Sequence, residues 1–204
     1  MFKSKSAVAE IAEVVLLALG LYLVINFAVQ TVHVVGLSMY STLNNDDYLI
    51  ASKLDYRLHN PERGDIIIMR DPFDPSKDFI KRVVGMPGDE LLIRDGRVFI
   101  DGKLLLEPYI NPEPWTINAN YPTGSGTGPG TAITILPGHY FVMGDNRNRS
   151  SDSRIFGQVK RDQIEARAWV RVLPLDKFGP IDHKTGRLVT PDAARVGRPA
   201  APNL

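Results

Sequence analysis

The 204-residue chain contains no cysteine and only four histidines, His33, His59, His139 and His183. Disulfides and thiolate metal sites are therefore excluded. No two histidines stand four apart on a helix, as a zinc protease would require. An excess of charge of either sign is missing as well: 24 Lys and Arg against 23 Asp and Glu leave a net charge of +1. Such a balance lends no support to nucleic-acid binding, which needs a clustered basic face. The length suits one well-buried domain with an appendage better than two full domains.

Charged residues are also absent between Glu13 and Asp46, and there the chain is strongly apolar from Val14 to Val29. A spanning helix needs about 20 apolar residues, and Ile11 to Val32 supplies that length. A cleaved leader would have a shorter apolar core and a small-x-small site, unlike Asn26-Phe-Ala-Val-Gln30. A buried soluble helix would show a polar face, which this segment lacks. Residues 1–32 thus read as a cytoplasmic tip and a single-pass membrane anchor. Lys3 and Lys5 precede the run and the next cation is Lys53, so the N-terminus is expected inside and the remainder outside.

Beyond residue 33 the pattern is that of strands. Asp65–Met69 and Phe79–Val84 are β-branched runs bounded by Gly and Pro, and His139–Met143 reads as another strand, ending at Gly144. Asp95-Gly96 between Leu91 and Ile100 predicts a hairpin, and Asp101-Gly102 extends it into a meander. Arg161 to Leu173 reads as a helical turn followed by a strand. No βαβ alternation occurs. The expected fold is mainly β, an all-β domain of antiparallel sheets over 33–176. A Pro-, Gly- and Thr-rich insertion is expected at about 107–131, and a disordered tail over 177–204.

Two residues are out of place. Ser38 lies between Leu37 and Met39 in an extended stretch just past the anchor. Lys81, on a strand, shares a face with Phe79 and Val83, while Arg82 points the other way with Ile80 and Val84. A lysine on an apolar face loses hydration and its pKa falls. A neutral lysine can activate a serine hydroxyl without histidine. A snorkelling edge lysine is the bland alternative.

Gly36-Leu-Ser-Met-Tyr-Ser-Thr-Leu43, Arg63-Gly-Asp-Ile-Ile-Ile68, Phe79-Ile-Lys-Arg-Val-Val-Gly-Met-Pro-Gly-Asp89 and Gly144-Asp-Asn-Arg-Asn-Arg-Ser-Ser-Asp-Ser-Arg154 follow one another after the anchor. Together they resemble the four ordered signature boxes of the bacterial signal peptidase I family, over residues 7 to 173. The resemblance implies a membrane-bound serine endopeptidase that removes signal peptides from exported preproteins, cleaving after small residues at −1 and −3. It implies Ser38 as nucleophile and Lys81 as general base, with Ser150 hydrogen-bonded to the lysine. Asp145, Asp152, Arg154 and Arg82 would buttress the site, and Met39, Leu43, Phe79 and Ile80 would line the substrate pockets. Residues 33–37 and 77–80 would offer strand edges to an extended peptide. No metal or cofactor is implied. The partners would be signal peptides and the bilayer, with no nucleic acid, and a monomer suffices.

Three positions depart from the family pattern. Ser41 replaces the proline after Ser-Met-x, and Gly36 occupies a position where some members have a hydroxyl oxyanion donor. Asn148-Arg149 replaces the usual Asp-Asn. Two other functions compete with this one. A self-cleaving repressor-type Ser-Lys protease would carry a DNA-binding domain where this chain has its apolar run. An anchored, non-enzymatic peptide-binding β-domain gives no reason to pair Ser38 with a strand lysine.

Overall fold

The computed structural model describes residues 7–110 and 131–191. Helix α1, Ala7–Ala28, is 22 residues long, with none of its side chains buried. By length and composition it can cross a membrane. The apolar run does not remain helical to Val32, however. Val29–His33 forms strand β1, paired antiparallel with β2, Tyr48–Ser52, in register from Val29 opposite Ser52 to His33 opposite Tyr48. The expected anchor boundary therefore moves back to Ala28. The reason is the β-branched alternation Val29-Gln-Thr-Val-His33, which buries Val32 in a core that a continuing helix could not reach.

The other strands are β3, Ile66–Arg70; β4, Asp78–Gly85; β5, Glu90–Arg94; β6, Arg97–Ile100; β7, Lys103–Leu106; β8, Ile133–Thr134; and β9, His139–Met143. β10, Val159–Lys160; β11, Ile164–Leu173; β12, Gly179–Pro180; and β13, Arg187–Val189, complete the set. Two short helices intervene, α2, Asp55–Leu58, and α3, Ser153–Phe156. The first sheet has the order β1-β2-β11-β3-β4-β9-β10 with β12 added to β11, and the second runs β13-β7-β6-β5-β8. Every pairing is antiparallel. The Asp95-Gly96 and Asp101-Gly102 turns take positive φ at all four residues and join β5 to β6 and β6 to β7, as the dipeptides require.

The central strands β3 and β4 are buried on both faces. Ile66 and Ile68 enter one core with Val32, Met39, Leu43 and Ile80, while Ile67 and Met69 enter another with Val83 and Tyr140. A third core joins Val84, Phe141 and Met143 of the first sheet to Leu91, Val98 and Ile100 of the second. Both faces of β4 carry apolar residues, Phe79 and Val83 on one and Ile80 and Val84 on the other, and the complete burial of Arg82 on the second is a finding of the fold.

Residues 177–191 correct the expected disordered tail. Gly179 and Pro180 pair with β11, Ile181 is buried, and Arg187–Val189 closes the second sheet against β7. A polar, Gly- and Pro-bearing stretch is held because each pairing partner presents an open strand edge. The rest of that tail, 192–204, and 111–130 of the expected insertion lie outside the described residues.

Candidate active site

β4 carries Lys81 in the middle of its run, opposite Ile67 of β3. The side chain is 3% exposed and its Nζ lies 4.7 Å from the centre of the Phe79 ring. Burial pushes the ammonium pKa down from 10.5 to about 8, against the opposing pull of the Asp152 and Asp71 carboxylates. Nζ lies 3.1 Å from Ser38 Oγ and donates a second hydrogen bond, of 3.0 Å, to the carbonyl of Ile80.

The turn that carries Ser38 is anchored on both sides. The Gly36 N–H donates to Asn45 Oδ1 at 2.7 Å, and the Leu43 N–H to the Met39 carbonyl at 2.8 Å. The Asn146 N–H donates to the Ser38 carbonyl at 2.9 Å, tying the turn to the chain beyond β9. Gly144 makes that approach possible. A Cβ there would fall 2.3 Å from Ser150 Oγ and 2.5 Å from the Ser38 carbonyl oxygen.

Charged pairs fix the surrounding frame. Arg82 forms two 2.8 Å hydrogen bonds to Asp145, with both side chains fully buried, and donates to the Gly64 carbonyl at 2.7 Å. Asp145 also accepts from Thr42 Oγ1, so the nucleophile turn is bonded to the same carboxylate. Asp152 caps α3 and accepts from the Gly144 N–H at 3.0 Å and from Nε and Nη2 of Arg154 at 2.8 Å. Burial alone would raise its pKa, but the Arg154 guanidinium outweighs that and holds the carboxyl below its ordinary range. Arg147 donates to the Gly144 carbonyl and is paired in the interior with Glu107, which also accepts from the Tyr109 hydroxyl.

A cleft of about 650 Å³ opens beside Ser38 and Lys81. β1, at the edge of its sheet, and the start of β4 form its walls, with Val32, Met39, Phe79 and Ile80 among the lining residues. β9 pairs with β4 only from Arg82 onward, so one edge of residues 78–80 is left open by that strand.

The chain's sequence from residue 8 to 173 matches the family model described as signal peptidase, peptidase S26. The chain belongs to that family. It is 36% identical to a probable signal peptidase I-2 of Synechocystis, over 89% of this chain and 75% of that protein. It is 34% identical to the signal peptidase I of Bacillus caldolyticus, over 82% and 90% of the two chains. A solved signal peptidase I of Enterococcus faecalis shares 33% identity at a TM-score of 0.43, covering 53% of this chain and 97% of that one. Membership of the family makes the chain a peptidase.

The fold brings most of the residues suggested by resemblance to one place, with two differences of detail. Leu43 is fully buried in the core with Leu49 and Ile66 and lies behind the cleft, because the turn at Met39–Leu43 directs it inward. Ser150 Oγ is buried against Gly144 and helps hold the Asp152 carboxyl low, whereas the ammonium of Lys81 bonds to Ser38 and Ile80. Sequence reasoning missed Asn45, Thr42, Glu107 and Arg147. Thr42 and Arg147 were signalled by their places in the first and last boxes; Asn45 and Glu107 reach the site only through tertiary contacts.

Proposed function

We propose that this chain is a membrane-anchored serine endopeptidase that removes signal peptides from exported preproteins, with Ser38 as nucleophile and Lys81 as general base. The observation that carries the reading is the 3.1 Å approach of a buried, pKa-lowered lysine to a serine hydroxyl at the end of an open cleft. Neutral Lys81 takes the Ser38 proton as Oγ attacks the scissile carbonyl carbon. The carbonyl π electrons move to oxygen, and the oxyanion meets the backbone N–H of Ser38. Collapse expels the new N-terminal amine, which receives the proton from Lys81. Water, deprotonated by the same lysine, then hydrolyses the acyl-enzyme.

Gly36 cannot supply a second oxyanion donor from its side chain, and its N–H is committed to Asn45. A serine at 36 would have room, since nothing lies within 4 Å of a Cβ there, but φ of +95° disfavours any side chain. An extended peptide would add to the edges of 33–37 and 77–80. Met39, Phe79 and Ile80 would leave space for small residues at −1 and −3. The apolar helix α1 supports a bilayer location, with the catalytic domain on the outer side and Ser38 near the depth at which a preprotein presents its cleavage site.

The test uses the full chain in detergent with a purified preprotein, the product being mass-analysed. Cleavage after a small −1 residue is expected. Ser38→Ala, Lys81→Ala and the double variant should be equally inactive, because the two side chains act as a unit. Residual cleavage by either single variant, with the double variant far below it, contradicts the dyad.

A further inference from the structure

The cleft contains more charge than cleavage after small residues requires. His33, Lys77, Asp78, Lys81 and Arg149 all line it. Three of the four basic groups are already occupied. His33 meets Asp46 at 3.0 Å, Lys77 meets Asp74 at 2.7 Å, and Lys81 is turned to Ser38. Arg149 is exposed and makes no side-chain hydrogen bond or ion pair among the described residues. It stands in the turn Arg147–Arg149, directly before Ser150, in the segment whose Asn146 N–H holds the Ser38 carbonyl.

Asp78, the only carboxylate among the described lining residues, is three positions from Lys81 along β4, roughly 10 Å at strand spacing. The cleft is therefore polarised, with a free guanidinium on the segment that holds the nucleophile turn and a carboxylate farther along the strand. An acidic substrate side chain would be attracted at the first place and repelled at the second.

We infer that Arg149 is a specificity determinant that favours preproteins carrying an acidic side chain in the stretch, near the scissile bond, that the cleft holds. This rests on the peptidase reading above. Lysine or arginine at the same substrate position is disfavoured, and the preference weakens with ionic strength because the guanidinium is solvent-exposed.

The experiment scans Asp, Asn and Lys through positions −6 to +3 of one preprotein-derived peptide, leaving −1 and −3 small, with the full chain in detergent. Comparing kcat/KM ratios between substrates removes any overall change in activity. The wild-type ratio of Asp to Asn should reach about two- to fivefold at one position near the bond, the size expected of a partly exposed ion pair. Arg149→Asn should bring that ratio to one, and Arg149→Glu should invert it so that Lys is preferred at the same position. Equal Asp-to-Asn ratios in wild type and Arg149→Asn overturn the inference while leaving the peptidase reading intact. Absence of cleavage by the wild type, or its persistence in Ser38→Ala, would instead remove the peptidase reading.

Discussion

Lys81 is costly to bury in its charged form, and that cost is what makes it a usable base. Its folded pKa of about 8 lies below the ordinary 10.5, so the native state holds fewer protons than the unfolded chain between those values. Stability should rise with pH across that window, and at neutral pH the full penalty is present. Lys81→Met should therefore be inactive yet more stable below pH 8, by about 3 kcal/mol from the size of the shift, as read by urea denaturation. Wild-type kcat/KM should fall with a single protonation as pH drops through about 8; a profile flat to pH 5 would exclude lysine as the base. Arg82 and Asp145 make the opposite case, a buried pair whose charges satisfy each other. Asp145→Ala would leave Arg82 uncompensated and should cost about 3–5 kcal/mol, whereas replacing both by apolar residues of similar volume should recover most of it.

Among the elements, β1 links the anchor to the site. Lys53 and Leu54 donate backbone N–H bonds to the carbonyl of Ala28, the last residue of α1, so the strand begins where the helix is capped. Removing residues 1–28 keeps the strand; removing 1–32 strips it, exposes an edge of β2 and takes Val32 out of the core. The longer truncation should melt at least about 3 °C lower than the shorter one, from the burial of Val32 alone. Equal melting temperatures would mean that β1 contributes nothing to the domain. The loss should also weaken peptide binding, since β1 is a wall of the cleft.

At the scale of the molecule, the segment after residue 176 closes the structure from behind the active site. His183 accepts the Ile66 N–H on Nδ1 at 3.0 Å and donates from Nε2 to the Ala168 carbonyl at 2.7 Å, which requires the neutral ring. Burial, helped by the Arg167 guanidinium, lowers its pKa below 6.5. The unfolded chain takes up this proton first, so the contribution of His183 is present above about pH 6.5 and declines as pH falls below it. Truncation after Asp176 removes His183, the buried Ile181 and two strand pairings, and should cost more than about 2 kcal/mol. That loss is measurable as a lower denaturation midpoint in detergent at pH 7.

The sequence by itself determined what depends on neighbours along the chain. The apolar length of α1, the positive-φ turns at Asp95-Gly96 and Asp101-Gly102, the strands of the meander and the shared face of Phe79, Lys81 and Val83 are all local patterns. Ser38 and Lys81 were legible because each is a polar residue in an apolar run, and family resemblance joined them. The tertiary structure decided what depends on partners distant in sequence. It ended the helix at Ala28 because β2 offers Val29–His33 an edge, and it ordered residues 177–191 because β11 and β7 offered theirs. It buried Leu43 behind the cleft, directed the Lys81 ammonium to Ser38 and Ile80, and brought Glu107 to Arg147 and Thr42 to Asp145 across 40 and 103 positions. Pairing between such segments is set by which edges and charges remain unsatisfied once the sheets have formed, and local periodicity contains no record of that.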